Sequence, residues 1–153
     1  MATGYDDLER VYNKDSYVFK TLEEVHRGLG VKLLGFNASG FGGVGTIEPV
    51  DNILNVEEDK GIVIRTPVPD VFNQTMKDIG FRTMTLPYSD LYTALQTGTV
   101  EGWSGGEPSL NYSGFRDVIN HFYQTNEFLG ATSFVINEEL FNSLTEKEQE
   151  IIQ

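Results

Sequence analysis

Arg65 is the residue whose type and position carry the sharpest chemistry. It closes the apolar run Gly61-Ile62-Val63-Ile64 and is followed by Thr66-Pro67. In a parallel sheet a strand-end residue of this kind stands where ligands collect. A guanidinium there can grip a carboxylate through two parallel hydrogen bonds. The plain alternative is an arginine reaching out to solvent, which is the commoner fate of surface arginine. The second candidate is Gly102-Trp103-Ser104-Gly105-Gly106-Glu107-Pro108, which holds the chain's one Trp. An exposed ring there would wall a pocket while backbone N–H groups face an anion. A core Trp filling a gap between lobes would leave the same sequence.

Other residues carry less. Gly40-Phe41-Gly42-Gly43-Val44-Gly45 lacks the full dinucleotide spacing and has no Lys-Ser/Thr of a phosphate loop, so it reads as a mobile connector. Gly102-x-Ser104-x-Gly106 matches a hydrolase elbow only formally, because His121 follows too closely. His26 and His121 have no ligand-spaced partner. Glu23-Glu24, Glu57-Glu58 and Glu138-Glu139 read as solvated faces. With no Cys, thiolate metal sites, Cys nucleophiles and disulfides are excluded. No cofactor is implied.

The elements that must position Arg65 follow from periodicity. Apolar residues from Leu8 to Leu29 recur at helical spacing, predicting one long amphipathic helix over 7–29. A strand follows at 31–36, then the Gly-rich loop 37–45 and an acidic, irregular stretch, 46–60. From 61 to 101 strand and helix alternate: strand 61–66, helix 69–80, strand 82–86, a helix capped by Ser89, and a short strand 99–101. That alternation predicts a parallel sheet of crossover units. Residues 121–136 read as extended chain. Asn137 caps a short helix, and Thr145-Glu146-Lys147-Glu148 is a capping box.

Composition bounds the partners. The 153 residues carry 11 Lys+Arg against 23 Asp+Glu, a net charge of −12. A nucleic-acid binder needs cations to displace counterions, and an anionic membrane surface would repel this chain. A fraction of 39% hydrophobic residues is enough for a packed core. No window spans a bilayer, and the first residues lack the basic and apolar regions of a signal peptide, so the polypeptide as written would stay in the cytoplasm.

The run Gly61-Ile62-Val63-Ile64-Arg65-Thr66-Pro67 and the longer run Leu86-Pro87-Tyr88-Ser89-Asp90-Leu91-Tyr92-Thr93-Ala94-Leu95-Gln96-Thr97-Gly98-Thr99-Val100-Glu101-Gly102 closely resemble the solute-binding subunits of TRAP transporters, of the DctP type. The segment around Phe134–Asn137 and the run from Leu144 to Ile152 resemble them too. The resemblance implies an α/β, periplasmic-binding-protein-like receptor with two lobes, which closes on a small organic acid and delivers it to TRAP membrane subunits. It implies a periplasmic location and no enzymatic activity. By resemblance Arg65 grips the ligand carboxylate and Tyr88 lines the pocket.

The sequence departs from the family where an Asn commonly touches the ligand; here stand Trp103 and Glu107. Trp103 is then expected to supply an apolar or stacking wall. Some branches pair a Trp here with a metal-bridged keto acid, which makes Glu107 the acidic candidate at the rim. Family members are longer, so the expected fold is incomplete at both ends. It would comprise a partial first lobe over 1–45, a hinge over 46–60, a second lobe over 61–125 and a return to the first over 126–153. Sheets so exposed imply a domain-swapped or edge-paired homo-oligomer. The rival expectation is a truncated receptor fold that binds no ligand and serves as an interaction module.

Overall fold

Asn13 and Ser16 divide the run expected as a single helix. The structure, a computed structural model describing residues 6–153, places α1 at Asp6–Tyr12 and α2 at Tyr17–Gly28. The Asn13 side-chain amide donates to the carbonyls of Glu9 at 3.0 Å and Arg10 at 3.1 Å, satisfying the end of α1. Ser16 Oγ accepts from the Phe19 N–H at 3.0 Å and so caps α2. Short polar side chains compete for backbone groups in this way, and they override a continuous apolar stripe.

The remaining elements run in order: β1 Val31–Phe41, β2 Gly43–Thr46, β3 Val63–Thr66, α3 Asp70–Asp78, β4 Arg82–Thr85, α4 Tyr88–Gln96, β5 Gly102–Gly106, α5 Pro108–Phe115, β6 His121–Tyr123, β7 Leu129–Asn137, α6 Glu138–Ser143 and α7 Glu146–Ile152. The chain divides into two units, Met1–Ser39 with Ala131–Gln153, and Gly40–Gly130. Residues 46–60, expected as a hinge, therefore fall inside the second unit.

In the first unit Phe19, Leu33 and Phe141 are buried, and the Phe36 ring packs on Tyr12 and Phe19 at 5.1 and 5.7 Å between centroids. Asn137 caps α6 by accepting from the Leu140 N–H, and Thr145 with Glu148 forms the expected capping box of α7.

The second unit is built on a five-stranded sheet of order β4-β3-β5-β2-β6. Strands β4, β3 and β5 are parallel, as the alternation predicts. Strand β2 runs antiparallel to both β5 and β6. One cluster packs Leu91, Leu95, Val100, Trp103, Phe115 and Ile119 together. A second packs Val44, Ile64, Met76 and Phe81.

Three local expectations are corrected. The Gly-rich segment is not a mobile connector: it completes β1 and forms β2, all of whose residues are buried. Its glycines serve close approach. A Cβ on Gly45 would sit 2.5 Å from Asn111 Oδ1 and 2.9 Å from Trp103 Nε1. The strand expected at 99–101 instead occupies Gly102–Gly106, where a Cβ on Gly102 would meet the Gly45 carbonyl oxygen at 2.4 Å. Ser89 does not cap α4, which begins one residue earlier behind Pro87; its hydroxyl bonds Asp90 instead.

Candidate functional site

The parallel strands β3, β4 and β5 end on one edge of the sheet. Because β2 is antiparallel to β5 and β6 antiparallel to β2, Gly43 lies opposite Gly106 and Tyr123 opposite Val44. Residues that follow Tyr123 therefore leave from the same edge. Arg65, Tyr88, Gly105, Glu107 and Glu127 are gathered there by topology.

Arg65 lies beside Trp103 in register, so both side chains stand on the same face of the sheet. The residue is only 4% exposed. Its Nε donates to the Leu86 carbonyl at 2.9 Å, and Cζ lies 6.0 Å from the centre of the Tyr88 ring. No carboxylate among the described residues forms an ion pair with it. Its two Nη atoms have no hydrogen-bond partner there, yet no fully buried side-chain nitrogen or oxygen among the described residues is left unsatisfied. The Nη atoms therefore keep a solvent-facing edge. Burial lowers the pKa of this guanidinium from its ordinary value, and the Tyr88 phenol opposes that shift. A desolvated cation without a counter-charge is costly, and an anion on its open edge would offset the cost.

Tyr88 opens α4 and is 50% exposed. Its ring meets Trp103 and Phe115 edge-on at 6.3 and 5.9 Å. Trp103 is 1% exposed and donates its indole N–H to Asn111 Oδ1 at 2.9 Å. A Cβ on Gly106 would sit 2.1 Å from Trp103 Cη2. Trp103 is thus a core residue that seats Tyr88, and not an exposed wall. Its place is the core of the second unit, neither an exposed wall nor a gap between lobes, because flanking glycines admit the large ring into the sheet itself. Glu107 is half-buried just before α5, with no side-chain hydrogen bond capping the helix and no ion pair among the described residues.

Gly105, Thr125 and Glu127 have places at this edge that the sequence analysis does not assign, and Ser104 has one other than the formal elbow motif. Gly105 has φ +117°, a region L side chains rarely adopt. A Cβ there would lie 3.4 Å from Pro67 and 3.8 Å from Arg65 Nη1, so glycine keeps the flank of the guanidinium open. Ser104 is fully buried, and its hydroxyl lies 3.4 Å from Glu127 Oε1. Thr125 donates to Glu127 Oε2. No histidine contacts Ser104 among the described residues, in keeping with a coincidental elbow motif. A surface pocket of about 650 Å³ lined by Tyr92, Leu95, Asp117 and Asn120 lies at the opposite edge, where Thr46 pairs with Gly102, and does not include Arg65. No group of metal-binding side chains occurs among the described residues. None of their helices is long and apolar enough to cross a membrane.

The chain matches known proteins over its full length. The family model for bacterial extracellular solute-binding protein, family 7 (DctP), covers residues 1–153. The ectoine-binding periplasmic protein TeaA of Halomonas elongata is 22% identical over 153 residues, covering 100% of this chain and 44% of TeaA. A TRAP periplasmic solute-binding protein from Desulfovibrio salexigens, solved with bound orotic acid, superposes with a TM-score of 0.78 at 20% identity, covering 99% of this chain and 47% of that one. Another from Polaromonas sp. JS666, bound to D-erythronate, superposes with a TM-score of 0.78 at 22% identity over 97% and 48% of the two chains. These likenesses establish the mixed α/β fold of TRAP periplasmic binding proteins. The chain spans under half the length of these relatives.

Proposed function

The chain belongs to family 7 of the bacterial extracellular solute-binding proteins, and from that premise we propose that it holds a small organic acid through a contact between Arg65 and the ligand carboxylate. The observation that carries this reading is an arginine only 4% exposed as a residue, with no ion-pair partner among the described residues, at the carboxyl edge of a parallel sheet. Nε is committed to Leu86. That leaves the Nη pair for a carboxylate, while Tyr88 covers the cation's face. Glu107 stands on the same rim. Orotate and erythronate in the two solved relatives support an acid as ligand. The partners on this reading are the membrane subunits of a TRAP transporter, and the setting is the periplasm.

A thermal-shift screen of mono- and dicarboxylates, keto acids and uronates tests the proposal. A concentration-dependent rise in unfolding temperature is expected for at least one acid, and it should vanish in Arg65→Ala. Uniformly null shifts would instead support a receptor fold acting as an interaction module.

The outer edges of β4 and β6 have no partner strand among the described residues. Unpaired edges template pairing with another chain, so self-association through an edge belongs to this reading. Light scattering behind size exclusion should give at least a dimer mass; a monomer mass would remove that part.

A further inference from the structure

Asn111 is a buried polar residue in α5 whose place the anion contact alone does not explain. Its Oδ1 accepts the Trp103 indole N–H at 2.9 Å, the one hydrogen bond that ring can donate. Glycines make room for the pair at both ends of the indole. A Cβ on Gly45 would crowd Asn111 Oδ1 and Trp103 Nε1, and one on Gly106 would collide with Cη2. The ring therefore lies in a slot bounded by backbone. Turned over in that slot, it would point its N–H away from Asn111 and leave a buried donor unpaired, which is costly. The hydrogen bond thus selects one of two ways of filling the same space.

That choice reaches Arg65 through contacting rings. Trp103 packs on Phe115 at 4.8 Å between centroids, and both rings meet Tyr88 edge-on, at 6.3 and 5.9 Å. Tyr88 in turn lies 6.0 Å from Arg65 Cζ. Helix α5 borders the same ring, since a Cβ on Gly114 would sit 3.5 Å from the Tyr88 hydroxyl. The backbone N–H of Asn111 also donates to the Glu107 carbonyl at 3.0 Å, which ties the first turn of α5 to the rim. An apolar residue at 111 would fill the core; the amide adds an orientation that a filled core does not require.

We infer that Asn111 is a positioning residue for the anion contact: through Trp103 it sets where Tyr88 stands over Arg65, and so how the open edge of the guanidinium is presented. This rests on the Arg65 reading above and adds to it a residue that acts without touching the acid.

The test is nitrogen–proton NMR of the whole chain, first free and then titrated with acetate as a bare carboxylate. One Trp gives one indole cross-peak, and the Arg65 Nε–H cross-peak is assigned by its loss in Arg65→Ala. In the free protein Asn111→Leu should shift both cross-peaks. Asn111→Asp, which keeps an acceptor for the indole, should return both towards their wild-type positions. In the titration Asn111→Leu should need at least about twofold more acetate to move the Arg65 cross-peak halfway, the scale of a weakened cation–π contact. An Arg65 cross-peak that stays in place while the indole one moves overturns the inference, because Asn111 then serves the core alone. So does a shift that Asn111→Asp fails to reverse. Should Asn111→Leu not fold, Asn111→Ala, which leaves room for a water on the indole N–H, is read the same way. Acetate that acts at equal concentrations on wild type and Asn111→Leu overturns the inference and leaves the carboxylate reading standing. Acetate that moves Arg65 in neither overturns the carboxylate reading, while the free spectra still decide whether Asn111 positions the guanidinium.

Discussion

Arg65 and Arg82 sit on neighbouring parallel strands, and they are opposites. Arg82 is at the start of β4, its side chain 63% exposed, and it pairs with Asp59 at 3.0 Å. Arg65 is near the end of β3, 4% exposed, stacked under a tyrosine and paired with no carboxylate among the described residues. The first is a screened surface pair of the kind that contributes little. The second costs free energy until something negative arrives. The same residue type is a screened surface group at one end of the sheet and the proposed anion contact at the other, and the difference is supplied by burial and by the absence of an ion-pair partner among the described residues.

Trp103→Ala should have the largest effect, because it removes the ring on which Tyr88 leans. A loss of about 3–5 kcal/mol in urea unfolding is expected for a buried aromatic; a loss under about 1 kcal/mol would show that Trp103 is not core.

Arg65→Ala should weaken binding of any acid found in the screen by at least about a hundredfold, the scale of losing one partner of a buried charge pair. Arg82→Ala should leave calorimetric affinity within about twofold, the scale of a surface pair. Equal losses would erase the contrast between the two arginines.

Without ligand the sign reverses for Arg65. Arg65→Met replaces an unpaired buried cation by an apolar chain of similar reach, and should stabilise the free protein by about 1 kcal/mol. That corresponds to roughly 2–4 °C in unfolding temperature for a chain of this size. A fall in that temperature would show that the guanidinium is already neutralised within the fold.

Tyr88→Leu keeps an apolar cover but removes the π-face, and should weaken acid binding by a few-fold, the lower range of a cation–π contact. Unchanged affinity would mean that the ring does not face the bound ligand.

The smallest effect lies at the exposed pair. The Gly61 backbone N–H and then Arg82 hold the Asp59 carboxyl below its ordinary value of 3.8. A carboxyl lowered in the folded state adds stability above that value and loses it as pH falls through the lower folded one. Arg82→Ala should therefore raise the Asp59 midpoint in an NMR titration and leave stability at neutral pH nearly unchanged. An unmoved midpoint would show that Gly61 alone sets it.

Much of this was legible in the residues, unevenly and for physical reasons. The apolar run into Arg65-Thr66-Pro67 specifies a buried strand with a cation at its exit, because apolar runs and proline stops are local signals. Helix α3, the caps at Asn137 and Thr145, and the parallel β3–β4 pair were readable for the same reason. The strand at Gly43–Thr46 was not. Glycine marks flexible chain and close backbone approach alike, and only the arrival of Asn111, Trp103 and Tyr123 against it decides between them. Trp103 was undecidable because its burial depends on strands far away in sequence. Glu127 was silent, because its place at the edge is set by β6 pairing through β2.

A crystal structure of the chain with the acid that gives the largest thermal shift tests the central claim most directly. Both carboxylate oxygens should lie about 2.7–2.9 Å from the Nη atoms of Arg65, with Nε still on Leu86. An acid seated elsewhere, or an Arg65 turned onto an acidic side chain of its own protein, would contradict it.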